Sequence, residues 1–225
     1  MKKVTILVIL FAFALVSCKK DKEAVTPVKN TEIIINPMKE LASGSGFSVS
    51  NSDGAEGQYQ VGIRFLAYKE GSIKRLGLRS PSAGTYRVQL YTFVANDSIS
   101  LNYPFFSGPE RLGYADITID AAAAASGTTV WAQISSVQIK PWNTDGAGKV
   151  RHYGVCFNDL DKTQYQYAFP ANTTMPLGFG NGALKIFRYT FTKTNDINEP
   201  AWQSTGGGYG NLIYSDVQFE FVTTK

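Results

Sequence analysis

From Ile33 onward the chain is cut into short runs of alternating apolar and polar residues, each run ended by Gly, Pro, Asn or Asp. Gln60 to Tyr68 puts Val61, Ile63 and Phe65 on one side and Gln60, Gly62 and Arg64 on the other. Tyr86 to Phe93 sets Tyr86, Val88 and Leu90 against Arg87, Gln89 and Tyr91, and Ile73 to Arg79 aligns Leu76 with Leu78. A two-residue period belongs to a strand, because successive side chains leave a pleated backbone in opposite directions. Between the runs stand Asn51-Ser52-Asp53-Gly54, Glu70-Gly71 and Ser80-Pro81-Ser82-Ala83-Gly84, residues that bend a chain without strain. Further runs are Leu112 to Ile119, Val130 to Ile139, His152 to Asn158, Gln164 to Phe169, Leu184 to Thr192 and Leu212 to Val222. This spacing predicts an all-β chain folded as an antiparallel β-sandwich, jelly-roll-like, with at most short helical turns. The one helical signal is Asp120 before Ala121 to Ala125 and Gly127. Asp is a good N-cap and glycine a fitting stop, but so short an alanine run makes little more than one turn.

The N-terminus reads differently. Met1-Lys2-Lys3 precedes an apolar run from Val4 to Val16. That run is too short for a bilayer, which takes about 20 apolar residues, but suits a secretory h-region. It ends in Leu15-Val16-Ser17-Cys18, which resembles the lipobox of bacterial lipoproteins. The resemblance implies cleavage before Cys18, a diacylglycerol on its sulfur and a palmitate-type acyl chain on its new amino group. Each buried methylene of such chains contributes about 0.8 kcal/mol, so several chains anchor the protein practically permanently. The expected organisation is a signal peptide over 1–17, a lipidated flexible tether over 18–30 and a single β-sandwich domain over 31–225. Lys19, rather than Asp, after the lipid site suggests passage to the outer membrane. Asp21 and Glu23 so close behind it resemble the surface-export signal of some Gram-negative lipoproteins, which makes the cell surface the expected location.

Composition narrows the chemistry. The formal charge is +4, and Lys2 and Lys3 belong to the leader, so the mature chain carries about +2, too little to argue for nucleic acid. With Cys18 lipidated, Cys156 is alone and no intrachain disulfide can form, so the core must hold the fold. Cys156 lies in Tyr153-Gly154-Val155-Cys156-Phe157 and reads as a buried small hydrophobe.

A familiar order of motifs runs through Gln60-Val61-Gly62-Ile63-Arg64-Phe65, Gly71-Ser72-Ile73-Lys74-Arg75-Leu76-Gly77-Leu78-Arg79 and Tyr86-Arg87-Val88-Gln89-Leu90-Tyr91. A tryptophan-bearing strand, Thr129 to Ile134, and an aromatic final strand, Tyr214 to Phe219, follow. The set resembles a bacterial extracellular β-sandwich family of unknown function, found beside carbohydrate-active and discoidin-like modules. The resemblance covers roughly 45 to 222 and implies fold rather than activity. Longer loops at Ala95 to Glu110 and Trp142 to Arg151 depart from it.

No catalytic set is legible. Glycan hydrolysis needs two carboxylates about 5 to 10 Å apart; Asp116, Asp120, Asp159, Asp161, Glu199 and Asp216 stand in no recognisable catalytic setting. His152 is the only imidazole, and no Gly-x-Ser-x-Gly elbow precedes a helix. An enzyme is therefore not expected. Asx-rich loops around Asp53, Asp159, Asp161 and Asp196 could offer oxygens to a structural calcium, though none has EF-hand spacing. Gly178-Phe179-Gly180 and Gly206-Gly207-Gly208-Tyr209 lack the lysine of a phosphate loop and read as turns. The Asp97-Ser98-Ile99 triplet resembles a short O-glycosylation acceptor of some Gram-negative bacteria.

Loop aromatics are the functional lead. Trp142 sits beside Pro141, Asn143 and Asp145, and Trp202 beside Asn198, Gln203 and, further on, Tyr209. Sugar faces stack on such rings while neighbouring amides and carboxylates bond the hydroxyls. Trp131, in mid-strand, is expected in the core. The reading is a surface-anchored, non-catalytic binding module with glycan as its partner; the alternative is a structural or adhesive surface protein with a protein partner.

Overall fold

The computed structural model describes residues 31–44, 47–52, 58–96, 110–160, 163–170, 173, 177–193, 212–214 and 216–224. Thr31–Lys225 forms one compact unit. In chain order the elements are β1 (Glu32–Ile35), α1 (Pro37–Ser43), β2 (Ser48–Ser52), β3 (Gln58–Ala67), β4 (Gly71–Arg79), β5 (Gly84–Asn96) and β6 (Glu110–Ile119). There follow α2 (Ala121–Ser126), β7 (Val130–Ile139), β8 (Lys149–Leu160), β9 (Gln164–Ala168), β10 (Leu177–Phe179), β11 (Leu184–Lys193), β12 (Leu212–Tyr214) and β13 (Asp216–Thr224).

The fold is all-β, and among the described residues every strand pairing is antiparallel. A four-stranded sheet runs β1-β13-β4-β7, a six-stranded sheet runs β10-β11-β3-β8-β5-β6, and a small third sheet runs β12-β9-β2. The alternation read from the sequence packs the two large sheets together. Phe65 of β3 stacks on Phe219 of β13 with ring centres 4.6 Å apart, and on Tyr153 of β8 at 5.4 Å. Val61, Ile63, Leu76, Leu78, Val88 and Leu90 complete the layer around these rings, all buried.

Both helices are short and each is explained by its caps. Asn36 accepts at 3.1 Å from the Lys39 amide and Pro37 opens α1, so the residues that end β1 also start a helix. Asp120 accepts at 2.7 Å from the Ala123 amide, and Gly127 stops α2 at φ 63, a left-handed conformation that suits glycine. Asn51 and Ser52, expected to open a turn, are instead paired in β2 with Tyr165 and Gln164. Phe179, expected in a glycine turn, belongs to β10 and is buried.

The polar side of β3 is not a solvent face. Gln60 and Arg64 are both buried, and across the same sheet Gln89, Tyr91, Phe93, Cys156 and His152 are buried too. Cys156 is buried as expected, and burial pushes its thiol pKa up. His152 stacks parallel on Phe93 at 5.4 Å; burial, and then the charge of Arg64, push its pKa down to about 3, so it is a weak base.

One buried carboxylate ties the sheets together. Asp216 opens β13 with its side chain fully buried, and Arg79 at the end of β4 donates Nε to it at 2.5 Å. The Tyr167 hydroxyl of β9 donates to the same oxygen, and Gln218 donates to the other at 2.8 Å. Gln218 also donates to Thr129 at 3.0 Å and accepts from Asn36 at 3.1 Å. Removing one partner of a buried pair leaves the other charge uncompensated. Asp216→Asn is therefore expected to lower stability by about 3 kcal/mol and Tyr167→Phe by about 1 to 2 kcal/mol, read by chemical denaturation. Wild-type midpoints in both variants would show that the network carries no stability.

Candidate functional site

Three connections meet at one end of the sandwich: 68–70 between β3 and β4, 140–148 between β7 and β8, and the turn 180–183 before β11. Trp142 lies there. Its amide donates to Ala67 O at 2.9 Å, and its carbonyl accepts from the Arg151 amide at 2.8 Å. The indole is half-buried against Leu66, Val150 and the ring of Tyr68, whose centre is 6.0 Å away at a tilt of 50°. Tyr68 is fixed by its amide donating to Ala183 O at 2.8 Å, and the Lys185 ammonium lies 4.6 Å from its ring centre. Two half-buried rings, a lysine and the exposed Asn143 thus share one end of the fold.

The loop carrying Trp142 is clamped. Arg151 grips Asp145 with both Nε, at 2.7 Å, and Nη2, and passes Nη1 to the Thr92 hydroxyl at 3.1 Å. This fork holds the Asp145 carboxyl below its ordinary range, through the hydrogen bonds to Arg151 first and its charge next. Tyr153 fastens the loop's start, accepting from the Lys140 amide at 2.8 Å and donating to the Lys140 carbonyl at 3.2 Å. Asp145 was expected to bond ligand hydroxyls. Here its oxygens serve Arg151, so it positions the loop, while Asn143 keeps an exposed amide.

Cys18, Asn198, Trp202, Gln203 and Tyr209 lie outside the described residues, as do Asp53, Asp161, Asp196 and the triplet at Asp97. Asp159 sits within β8 paired with Tyr59, in a strand rather than the loop expected. Among the described residues no three His, Cys, Asp or Glu side chains converge on a common point. Of the scattered carboxylates, Asp116 is held by Arg87 at 2.7 and 2.9 Å, Asp120 caps α2, and Asp216 is the buried tie described above.

Trp131 corrects an expectation. It is half-buried rather than in the core, and its indole lies on the outer side of the four-stranded sheet, over Gly77. The signal was present: Trp131 alternates with Val130 and Ala132, which pack on the core, and shares its parity with Gln133 and Ser135, both exposed. The size of the side chain, not its place in the period, suggested the interior.

The clamp makes the loop sensitive to acid. A carboxyl held low when folded contributes stability that is complete above its unfolded pKa of about 4 and fades as pH falls through the folded value. Melting temperatures of wild type and Asp145→Asn, taken across pH, are expected to differ at pH 7 and to converge below pH 4. A constant gap would show that the fork contributes nothing through ionisation.

No family model matches the chain, and no curated protein matches it. Among solved structures it aligns with the D2-D3 domains of the flagellar cap protein FliD from Escherichia coli. That alignment has 14% identity over 87% of this chain and 100% of that one, with a TM-score of 0.10. The D1-D2-D3 structure of the same protein aligns at 14% identity over 87% of this chain and 56% of that one, again with a TM-score of 0.10. Alignments at that TM-score carry no argument about fold or role.

Proposed function

We propose that the protein is an envelope lipoprotein, anchored through Cys18 in the outer membrane of a bacterium, that binds glycan without transforming it. The observation that carries this is the half-buried Trp142, set beside Tyr68 and held still by the Arg151–Asp145 fork. A ring held in advance binds better than one that must first be ordered, because the ordering entropy is already spent in folding. Sugar stacking draws on such a ring's flat apolar face, and Asn143 and Lys185 supply hydrogen-bonding partners alongside. No helix among the described residues is long and apolar enough to cross a membrane.

An adhesive role with a protein partner is favoured by a different observation. Strand β7 is the edge of its sheet, and Val130–Ile139 contains no charged residue. Edges of that kind accept another strand readily.

Two experiments test the proposal. Detergent phase partition of the full chain expressed in a Gram-negative host is expected to place wild type in the detergent phase and Cys18→Ala in the aqueous phase. Affinity electrophoresis in polysaccharide gels is expected to show retardation that Trp142→Ala reduces severalfold. Absence of retardation in every gel, with a protein co-purifying from the envelope, would replace the glycan reading with the adhesive one.

A further inference from the structure

The chain enters the fold at the same end that carries Trp142, and strand register fixes this. Ile34 of β1, Val222 of β13, Ser72 of β4 and Gln138 of β7 form one row across the four-stranded sheet. The next positions outward are Glu32 and Thr224, with Glu70 and Lys140 just outside β4 and β7. The Thr223 hydroxyl donates to the Glu70 carbonyl at 2.7 Å, which ties these levels together. Thr31 therefore opens the fold at the level of the 68–70 and 140–148 connections, where Tyr68 and Trp142 lie.

Reach decides which end can face a membrane. Residues 19–30 are all that separates Cys18 from Thr31, and drawn out fully they cover about 45 Å. Strand β8 runs from Lys149 at this end to Leu160 at the other and is itself about 40 Å long. A lipid on Cys18 brings the far end to the bilayer only with the tether stretched straight along the whole fold. The Trp142 end meets it without such stretching.

The residues of this end suit the boundary between water and lipid. Trp142 and Tyr68 are half-buried rings, each with an apolar body and a polar tip, the kind that collects at headgroup depth. Lys69, Lys140, Lys149 and Lys185 outnumber the exposed acids Glu32, Glu70 and Glu110. After Arg151, whose charge Asp145 balances, the charges of Lys140 and Lys149 also hold the Asp145 carboxyl down, so both ammoniums add positive field beside Trp142. Further in, Arg75 donates to both Glu220 oxygens at 3.2 Å, and that pair adds no net charge.

We infer that the glycan taken by the Trp142 end is the phosphate-bearing sugar headgroup of a lipid in the same membrane. The inference rests on the anchor and glycan readings above and names their ligand. Lysine ammoniums donate to phosphate oxygens, and Asn143 keeps an exposed amide for a hydroxyl. Contact at headgroup depth uses the exposed part of each ring together with the lysines, so neither ring has to offer a whole face. A weak contact suffices, because two partners held on one surface meet at high effective concentration. A polysaccharide in solution has to enter between fold and bilayer; the headgroup is already there.

The test places the full lipidated chain in phosphatidylcholine vesicles with and without lipopolysaccharide, each doped with a headgroup-spin-labelled phosphatidylcholine that quenches nearby tryptophan. Quenching is expected to rise severalfold with lipopolysaccharide and to be largely lost in Trp142→Phe. It is expected to persist in Trp131→Phe, a ring about 25 Å away along β7. The double variant Lys140→Glu, Lys149→Glu, at two exposed positions, is expected to cut quenching severalfold without moving the melting temperature, which keeps the test decisive should Trp142→Phe unfold. Quenching unchanged by that double variant, or equal in both vesicle types, would overturn the phosphosugar assignment. Quenching lost in Trp131→Phe instead of Trp142→Phe would overturn the orientation. If Trp142 escapes quenching in both vesicles while polysaccharide gels still retard the protein through Trp142, this inference falls and the glycan reading stands; if neither happens, both fall.

Discussion

The Asp216 carboxylate is the contact on which the arrangement of sheets depends. It is a buried charge, and such a group is tolerated only where nearly every lone pair is met. Here the donors come from β4, from β9 and from its own strand, so satisfying one carboxylate fixes three elements at once. Through Gln218 the same network reaches the cap of α1 and the residue before β7. Arg79 also lays its guanidinium 4.2 Å from the ring centre of Tyr165, a second hold of the small sheet on the large one.

This network divides the outer face of the four-stranded sheet. At the Asp216 end Tyr167 closes over the strands, and polar groups are consumed in structure. At the Glu220 end the equivalent ion pair remains partly exposed. The same residue types, an arginine across from an acid on neighbouring strands, thus serve cohesion at one end and stay accessible at the other. Burial makes the difference: exposed ion pairs contribute little to stability, whereas the hydrogen bonds of the buried one cannot be replaced by water.

What the sequence disclosed followed from local rules. Alternation in Gln60 to Tyr68 and in Tyr86 to Phe93 was enough to assign Val61, Ile63, Phe65, Val88 and Leu90 to one core. Trp142 could be placed in a loop because Pro141 and Gly146 break the period. The failures came where two local signals coincide or where a partner is distant. Asn36-Pro37 is equally a stop and a helix start, and only the chain after it decides. Arg64 reads as a solvent residue, and nothing within its own run reveals that this side of the six-stranded sheet is buried around Gln60, Gln89, Tyr91 and His152. Tyr68 reaches Trp142 from another connection, Lys185 of β11 reaches Tyr68 in turn, and Gly77 reaches Trp131 through register alone.

That last pairing has an evolutionary consequence. If Gly77 acquires a side chain while the indole remains, the two collide; if the indole shrinks while the glycine remains, bare backbone is left uncovered on an open face. Either intermediate is worse than the starting pair, so positions 77 and 131 cannot drift one at a time. They form a single heritable unit, retained together or exchanged together.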